Sequence, residues 1–368
     1  MPITELVAKA RALLQSSRAE AALTLLQANF EPYTEDVQFL QIFGETLLEN
    51  NDVENAYEVL TKACSSDPKA DAGVEKFFYL GQIIGGQDGL ALLDIGLNKL
   101  NSHLDKPELT KYVIKKLNQG IFAKIEIWMT DLCMEEEAES KCDELINYSL
   151  SLDAQNPEAL SLLASIRISQ QRPDEARQAL SQSWAIFKQK KITLEESANK
   201  IRDSGDSEES DSFEVGLEYI ELIQPLLTLA RFAIEMELYD TTIEIASSIQ
   251  DVNESILEPY YYEALAGLFN AKKLYVETSK EQLEDYRDLE IALLKKSTND
   301  EIKALLAEAK STLTLAYKII NSEGENDPEV VEQVQILLEE LGGPVMSELM
   351  PQRVDEEGWE DEIESEGE

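Results

Sequence analysis

The stretch QFLQIFGETLLENNDVENAYEVLTKACSSDP, residues 38–68, constrains the fold most strongly, because it places Gly44 in the middle of an apolar helical pattern. Alanine at such a position would favour the helix by about 1 kcal/mol. A helix that lacks a side chain at one point, however, lets a second helix come closer than a larger residue allows. We therefore predict that Gly44 is a packing joint between two helices.

The residues around Gly44 match the template of the tetratricopeptide repeat (TPR), a helical hairpin with a period of about 34 residues. Small residues let the two helices nest, large ones fill the seam, and a proline ends the second helix. These template positions hold Leu40, Phe43, Gly44, Leu47, Ala56, Leu60, Ala63 and Pro68. One such unit could also be an arbitrary helical hairpin, so recurrence along the chain decides between the two interpretations.

The same template recurs before and after this stretch. A first unit lies at the N-terminus, a third repeats the glycine joint at Gly81, and a weaker fourth is placed where Thr130 faces Cys142. The recurring residues are Leu6, Ala10 and Leu26; Phe77, Leu80, Gly81, Ala91 and Ile95; Met129, Thr130, Cys133, Cys142 and Ile146; Leu160, Ala164, Ala176 and Leu180; Leu226, Ala230 and Ala246; and Tyr262, Leu265, Ala266 and Phe269. We predict an all-α fold, a right-handed superhelical array of about seven TPR-type hairpins.

Local changes in composition divide the chain into a repeat array, an acidic insertion and an acidic tail. The array is predicted over residues 1–342, with a lengthened late unit at about 262–320 and a final helix that stops at two glycines. The run RDSGDSEESDSFE, residues 202–214, has too few apolar residues to order itself and is predicted to be a disordered acidic insertion. Residues 343–368 are predicted to form a disordered acidic tail, in which Trp359 and Ile363 are incidental or anchor a partner.

The net charge of the chain limits the classes of partner that it can be expected to bind. The sequence has 73 acidic and 32 basic residues, a formal charge of −41. A surface of that sign repels phosphate backbones and anionic lipids and attracts cations, so we expect no direct binding to nucleic acid or membrane. Three cysteines, Cys64, Cys133 and Cys142, are expected to be small buried hydrophobes in a reducing compartment. The N-terminal residues lack a signal-peptide pattern, which favours a soluble intracellular protein.

Catalytic and cofactor motifs are not predicted. The single histidine, His103, supports neither a catalytic triad nor a histidine-rich metal site. The glycines of GQIIGGQDGL lack the lysine of a phosphate loop and lie between helices, so they serve a turn. Residues 203–214 have the length of a calcium loop, but Glu208 stands where its turn needs glycine and Gly205 where it needs a ligand. We therefore expect no catalytic residue, no cofactor and no metal.

The first helices of a TPR array line a concave face that serves as an extended binding surface. By the template, acids outnumber bases at inward positions, with Arg11 and Arg231 as exceptions. An acidic face would bind a basic segment, although in so acidic a chain these residues could also be ordinary solvated charges. The candidate binding residues are Glu45, Glu49, Glu75, Asp131, Glu135, Glu158, Glu235 and Glu263. The carboxylate clamp of co-chaperones that hold acidic tails is not expected, since its positions hold Val7, Arg11, Gln41, Glu45 and Phe78.

The TPR array, the acidic insertion, the lengthened late unit and the tail containing GWEDEIE together resemble the fungal dedicated assembly chaperones of large-subunit ribosomal protein four (uL4). The resemblance spans essentially the whole chain. It implies a monomeric chaperone, in cytoplasm and nucleus, that shields the long basic internal loop of its newly made client and escorts it to the nucleus for large-subunit assembly. A TPR scaffold for another basic client, such as a histone, would use the same surface. An enzyme would need a pocket that the pattern does not show.

Overall fold

The structure, a computed structural model, describes residues 2–16, 18–104, 110–204, 215–216, 218–279, 285–322 and 326–349. In these ranges the regular structure is helical, and no strand is present. The chain divides into two compact units, unit 1 at Met1–Glu221 and unit 2 at Leu222–Glu368. Each is described by itself.

Between Ile3 and Ser204, unit 1 is built from five helical hairpins. Their helices are α1 (Ile3–Gln15), α2 (Ala19–Gln27), α3 (Val37–Glu49), α4 (Val53–Ser66), α5 (Glu75–Ile84), α6 (Gly86–Asn101), α7 (Thr110–Met129), α8 (Ala138–Leu152), α9 (Pro157–Ser169) and α10 (Pro173–Ser204). A short 3-10 helix, Glu31–Tyr33, joins α2 to α3. Large apolar side chains from successive hairpins form a continuous core that includes Leu6, Phe39, Phe77, Leu117 and Ile146.

In unit 2 the described helices form two hairpins and a terminal extension. They are α11 (Ile223–Glu235), α12 (Tyr239–Val252), α13 (Glu258–Ser279), α14 (Ile291–Leu294), α15 (Asp300–Ile320), α16 (Pro328–Glu340) and α17 (Met346–Leu349), with a 3-10 helix at Tyr286–Asp288. Helix α13 packs against α12 on one side and α15 on the other, and α16 packs against α15 and α13. The core of this unit includes Leu268, Leu294, Ile302, Leu313 and Val334.

Helix starts follow from local side-chain chemistry. The Asp36 carboxylate accepts a hydrogen bond from Phe39 N at 3.0 Å, and Asn156 does the same for Ala159 N at 3.0 Å. Each side chain satisfies one of the backbone N–H groups that a first turn leaves without a partner. These caps fix where α3 and α9, two first helices, begin.

The hairpins of unit 1 stack in sequence. Within each hairpin the two helices pack together, and each first helix also contacts the first helix of the next hairpin, from α1 through α3, α5 and α7 to α9. We call the surface formed by these five helices the first-helix face. The predicted all-α array of TPR-type hairpins is confirmed, and the described residues form seven hairpins.

Gly44 is the predicted packing joint. A Cβ placed on it would lie 2.5 Å from Leu60 Cδ2 of α4, closer than carbon atoms can approach. Gly81 repeats the arrangement, because its Cβ would lie 2.9 Å from the carbonyl oxygen of Gly89 in α6. Helices α3 and α5 each carry a glycine, despite its low helix propensity, because a side chain at that position would collide with the second helix of the hairpin.

The predicted placement of the fourth unit was wrong. Its first helix is α7, which ends at Met129, so Thr130 and Cys133 lie in the turn that follows. The glycine of α7 is Gly120, whose Cβ would lie 2.7 Å from both Phe78 Cζ and Leu97 Cδ2 of the preceding hairpin. Because this close approach is between hairpins rather than within one, the intra-hairpin template did not find it.

Three segments differ from their predicted description. Residues 202–204 of the predicted insertion are the last residues of α10, and 205–214 lie outside the described residues. Residues 343–349 of the predicted tail include helix α17, whereas 350–368 lie outside the described residues. Cys64 and Cys142 are buried as expected, but Cys133 is exposed because it lies in the turn after α7. Burial raises the pKa of the Cys64 thiol to about 12 and that of Cys142 to about 11.

Replacing Gly44 with alanine tests the joint. We expect Gly44→Ala to destabilise unit 1 by about 1–3 kcal/mol, because overpacking at Leu60 exceeds the gain in helix propensity. Gly267, inside α13, is the matched control, since no atom lies within 4 Å of its added Cβ. Gly267→Ala should stabilise by about 0.5–1 kcal/mol. Urea unfolding followed by circular dichroism measures both, and an equal gain in stability for the two variants would contradict the joint.

Candidate functional site

A polar cluster spans four neighbouring first helices on the first-helix face. It brings together side chains of both charges and two tyrosines, which we call the face cluster: Arg11 of α1, Gln41 and Glu45 of α3, Glu75 and Tyr79 of α5, and Tyr112 and Lys116 of α7. Two of the predicted binding residues, Glu45 and Glu75, lie in it. Its centre is Glu75, the first residue of α5.

The Glu75 carboxylate is held by donors from two other helices. Lys116 Nζ lies 3.1 Å from its Oε1, the Tyr112 hydroxyl donates to Oε1 at 3.3 Å, and Gln41 Nε2 donates to Oε2 at 3.2 Å. Burial acts to raise the pKa of Glu75, but the Lys116 ammonium, a hydrogen bond from the backbone N–H of Glu75 itself and the charge of Arg11 bring this pKa below its usual range. Glu75 is therefore an ionised carboxylate that links α3, α5 and α7.

The position of Glu75 depends on a buried ion pair in the loop before it. Lys76, whose side chain is fully buried, pairs with Asp67 Oδ2 at 2.8 Å and also donates to the carbonyl oxygen of Gly73. Asp67 in turn accepts hydrogen bonds from Asp71 N and Ala72 N, at 2.9 and 2.8 Å. The pair thus fixes the loop between α4 and α5, so that α5 begins with Glu75 facing α3 and α7.

Glu45 has a different environment from Glu75. Burial raises the pKa of Glu45, and the nearby charge of Arg11 offsets this only in part. The hydroxyl of Tyr79 interacts with the same carboxyl group, and burial beside these glutamates raises the pKa of Tyr79 in turn. Glu49, one turn further along α3, is exposed and close enough to act on Tyr79. This part of the face thus carries a half-buried and an exposed carboxyl group.

The other predicted residues of unit 1 separate into two groups. Glu158 is an exposed residue in the first turn of α9, a first helix, but partial burial of its carboxyl group raises its pKa, and the charges of Lys190 and Lys115 offset this only in part. Asp131 and Glu135, in contrast, lie in the turn after α7. Asp131 Oδ2 accepts a hydrogen bond from Gly86 N at 2.8 Å and so caps the start of α6. The misplaced fourth unit explains why these two residues were selected.

The two predicted binding residues of unit 2, Glu235 and Glu263, differ in exposure and in hydrogen bonding. Glu235 is exposed as the last residue of α11. Glu263 is half-buried, and its carboxylate accepts hydrogen bonds from Gln250 Nε2 at 2.6 Å and Thr312 Oγ1 at 3.3 Å. Since its donors come from α12 and α15, Glu263 joins three helices of the unit.

Several polar residues of the first-helix face were not predicted from the sequence. Tyr112 and Lys116 belong to α7, whose helix was placed too late along the chain. Glu126 of the same helix accepts a hydrogen bond from Gln82 of α5 at 3.3 Å, and Lys115 pairs with Glu221 at 3.1 Å. The buried apolar residues Val113, Leu117, Ile121 and Ile125 recur every four residues and are the signal that could have placed this helix.

Neither a metal-ligand group nor a membrane-spanning helix occurs among the described residues. Among them, no three side chains of His, Cys, Asp or Glu are grouped to hold a metal ion. None of the described helices combines the length and apolar composition needed to cross a bilayer. A cavity of about 390 Å³ beside Trp128 is lined by two ion pairs, Lys124–Asp94 and Lys141–Glu144, and by Glu137.

Comparison with known proteins identifies the family. A protein of Schizosaccharomyces pombe (strain 972 / ATCC 24843), named as an assembly chaperone of rpl4, is 30% identical over 336 residues, which cover 90% of this chain and 88% of that protein. The chain belongs to the family of assembly chaperones of rpl4. A relative of the same name from Emericella nidulans is 33% identical over 196 residues, 50% of this chain and 49% of that protein.

Two further comparisons agree with this assignment. The family model of the ACL4 C-terminal domain matches residues 255–364. The solved structure of an assembly chaperone of RpL4 (Acl4) superposes with a TM-score of 0.54 at 22% identity and covers 76% of this chain and 100% of that one. At that identity the likeness concerns the fold.

Two matched substitutions test the face cluster. We expect Glu75→Gln to destabilise unit 1 by about 1–3 kcal/mol at pH 7, because Lys116 would lose its charged partner in a half-buried site. Glu45→Gln should be neutral or stabilising, because it removes the cost of burying a charge. Urea unfolding of the two variants measures this difference.

The stability changes caused by Glu75→Gln and Glu45→Gln should each depend on pH in a way that follows from the direction of the pKa shift. Because the pKa of Glu75 is lowered on folding, its contribution is complete above the usual glutamate pKa and is lost as the pH falls through the folded value. The deficit of Glu75→Gln should therefore disappear in acid. Because the pKa of Glu45 is raised, the gain from Glu45→Gln should also shrink as the pH falls and Glu45 takes up a proton. Identical pH profiles for the two variants would contradict these environments.

Proposed function

We propose that the chain is a dedicated chaperone of large-subunit ribosomal protein four, which it binds when newly made and escorts to the nucleus for ribosome assembly. The observation that carries this proposal is the 30% identity across 88% of a relative named for that client. The TPR-type array supports it, since stacked hairpins provide extended surfaces for polypeptides. The proposed activity is binding and shielding, without catalysis or a cofactor.

We propose that the first-helix face binds the basic internal loop of the client. Glu49 and Glu158 are exposed on first helices and are available to lysine or arginine side chains. Tyr112 is 54% exposed and has Lys116 Nζ 5.8 Å from its ring centre, so the same ring can receive a client cation. Around Glu75 a client base would replace Lys116, and the carboxylate would exchange one ammonium partner for another.

The exchange of Lys116 for a client base at Glu75 contributes more to the specificity of binding than to its affinity. A client cation that enters the face cluster gains a carboxylate but has to displace a resident base, so the net gain per ion pair is small. Apolar and hydrogen-bonded contacts of the client would then decide its affinity, while the formal charge of −41 speeds encounter. Ribosomal RNA, a stronger polyanion, would compete for the same client bases and release the client during assembly.

The proposal includes a location and a stoichiometry. A chaperone that takes its client from synthesis to assembly works in both cytoplasm and nucleus, and we propose that it does so as a monomer with no direct contact to nucleic acid or membrane. A histone or another basic protein remains the second candidate client, because an acidic first-helix face does not itself distinguish among basic segments. Purification from the native cell followed by mass spectrometry separates the two by the identity of the bound protein.

Charge reversal on the first-helix face tests the binding mode. We expect Glu49→Lys combined with Glu158→Lys to weaken binding to ribosomal protein four at least tenfold, a loss of about 1.4 kcal/mol, because two exposed carboxylates become repulsive. The measurement is the dissociation constant at about physiological ionic strength, where charges beyond about 8 Å are screened.

The matched control carries the same change of net charge away from the face. Glu135 and Glu136 are exposed in the turn after α7, and their joint replacement by lysine should change affinity less than threefold. Equal weakening by the two double variants would show that net charge alone attracts the client. Full binding by the Glu49, Glu158 variant would rule out the first-helix face.

A further inference from the structure

Three lysines of unit 2 converge on the C-terminal end of α16. A Cβ placed on Gly342 would lie 3.8 Å from Lys295 Nζ and 3.9 Å from Lys310 Nζ, so the two ammonium groups flank one backbone position. Lys272 of α13 lies within electrostatic range of Glu340, the last residue of α16, and also of Asp288 and Asp285. We call Lys272, Lys295 and Lys310 the lysine cluster.

Part of this cluster has a structural role. Lys295 Nζ donates to the carbonyl oxygen of Glu340, where the helix leaves acceptors without partners and its dipole favours a cation. Lys272 Nζ donates to the carbonyl oxygen of Arg287 at 2.6 Å. An ammonium group has three donors, so these bonds leave capacity unused. Within the described residues, none of the three lysines has a carboxylate within 4.0 Å of its Nζ.

The chain returns to this cluster immediately after α16. Gly342 and Gly343 have φ of +94° and +76°, and this left-handed turn reverses the backbone. Val345 N then donates to Thr314 Oγ1 at 3.1 Å, and the Glu348 carboxylate accepts from Ser311 Oγ at 3.0 Å. Ser311 follows Lys310 in α15. The last described residues, up to Leu349, therefore run along α15, the helix that carries Lys310.

The residues that follow are the chemical complement of the cluster. Residues 350–368 contain nine acidic residues and one base, Arg353. The first acidic run, Asp355–Glu357, begins six residues after Leu349, which an extended chain spans in about 20 Å. The family model of the C-terminal domain continues through this segment to residue 364, so its sequence pattern extends past the last described helix.

We propose that residues 350–368 dock on the lysine cluster of their own chain, with the carboxylates of Asp355–Glu362 against Lys295 and Lys310. Tethering gives the segment an effective concentration on the order of millimolar, whereas an external polyanion is repelled by a chain of charge −41. The chain itself is thus the favoured occupant. Docking would hold the negative charge of the tail on unit 2, whichever client the protein carries.

Zero-length carbodiimide crosslinking of the full chain tests this docking, because the reagent joins an amine to a carboxylate only when they touch. Mass spectrometry should find crosslinks from Lys295 or Lys310 to Asp355–Glu362 that exceed those from the exposed control lysines Lys69 and Lys318 at least tenfold. An equal mixture of ¹⁴N and ¹⁵N chains should give crosslinks within one isotope only. Mixed-isotope crosslinks, or equal labelling of the control lysines, would overturn the proposal.

A second measurement uses the tryptophan of the tail. In the full chain labelled with 5-fluorotryptophan, the ¹⁹F signal of Trp359, assigned with Trp359→Phe, should be broadened and should sharpen at least twofold in Lys295→Gln/Lys310→Gln. Glutamine keeps a donor for the Glu340 carbonyl, so this variant preserves the helix end. Lys69→Gln/Lys318→Gln is the matched control. An unchanged Trp359 signal would refute docking and would indicate that the tail does not occupy the lysine cluster. Oligouridylate binding that depends on Lys295 and Lys310, with no crosslink to the tail, would refute docking in favour of an external polyanion.

Discussion

The close approach of helices at residues without side chains is the constraint on which unit 1 depends. At Gly44 and Gly81 the approach is within a hairpin, and at Gly120 it is between hairpins, where the Phe78 ring lies against α7. A larger residue at any of these points would push one helix away from the next. The spacing of the first helices, and with it the reach of every side chain between them, follows from these contacts.

That spacing makes the face cluster possible. Gln41, Tyr112 and Lys116 come from the helices on both sides of Glu75, and all three reach its carboxylate within 3.3 Å. The buried pair of Lys76 and Asp67 fixes the loop that starts α5, so the position of Glu75 rests on an ion pair in the core. The first-helix face consequently carries a preformed ion pair, Glu75 with Lys116, flanked by exposed carboxylates, and is not uniformly negative. A basic client segment would have to exchange partners with it.

The repeat template predicted the helical hairpins well because each carries its own apolar and small residues, as at Leu40, Gly44 and Leu60. It failed at α7, where the glycine contacts the preceding hairpin, and this single error assigned Asp131 and Glu135 to a first helix, whereas they lie in the turn after α7. Template spacing predicts which direction a residue faces, but not what it pairs with. Thus Glu49 and Glu158 are exposed on first helices, whereas Glu75 and Glu263 are bound by neighbouring side chains that only the folded chain brings together.

The central claim is that a basic client segment exchanges ion-pair partners on the first-helix face. A crystal structure of the chain with the internal loop of ribosomal protein four tests it most directly. The account predicts client lysine or arginine nitrogens within 4 Å of the Glu75 carboxylate, with Lys116 displaced from its present 3.1 Å contact. A client bound to the second helices, with the contact between Glu75 and Lys116 intact, would contradict it.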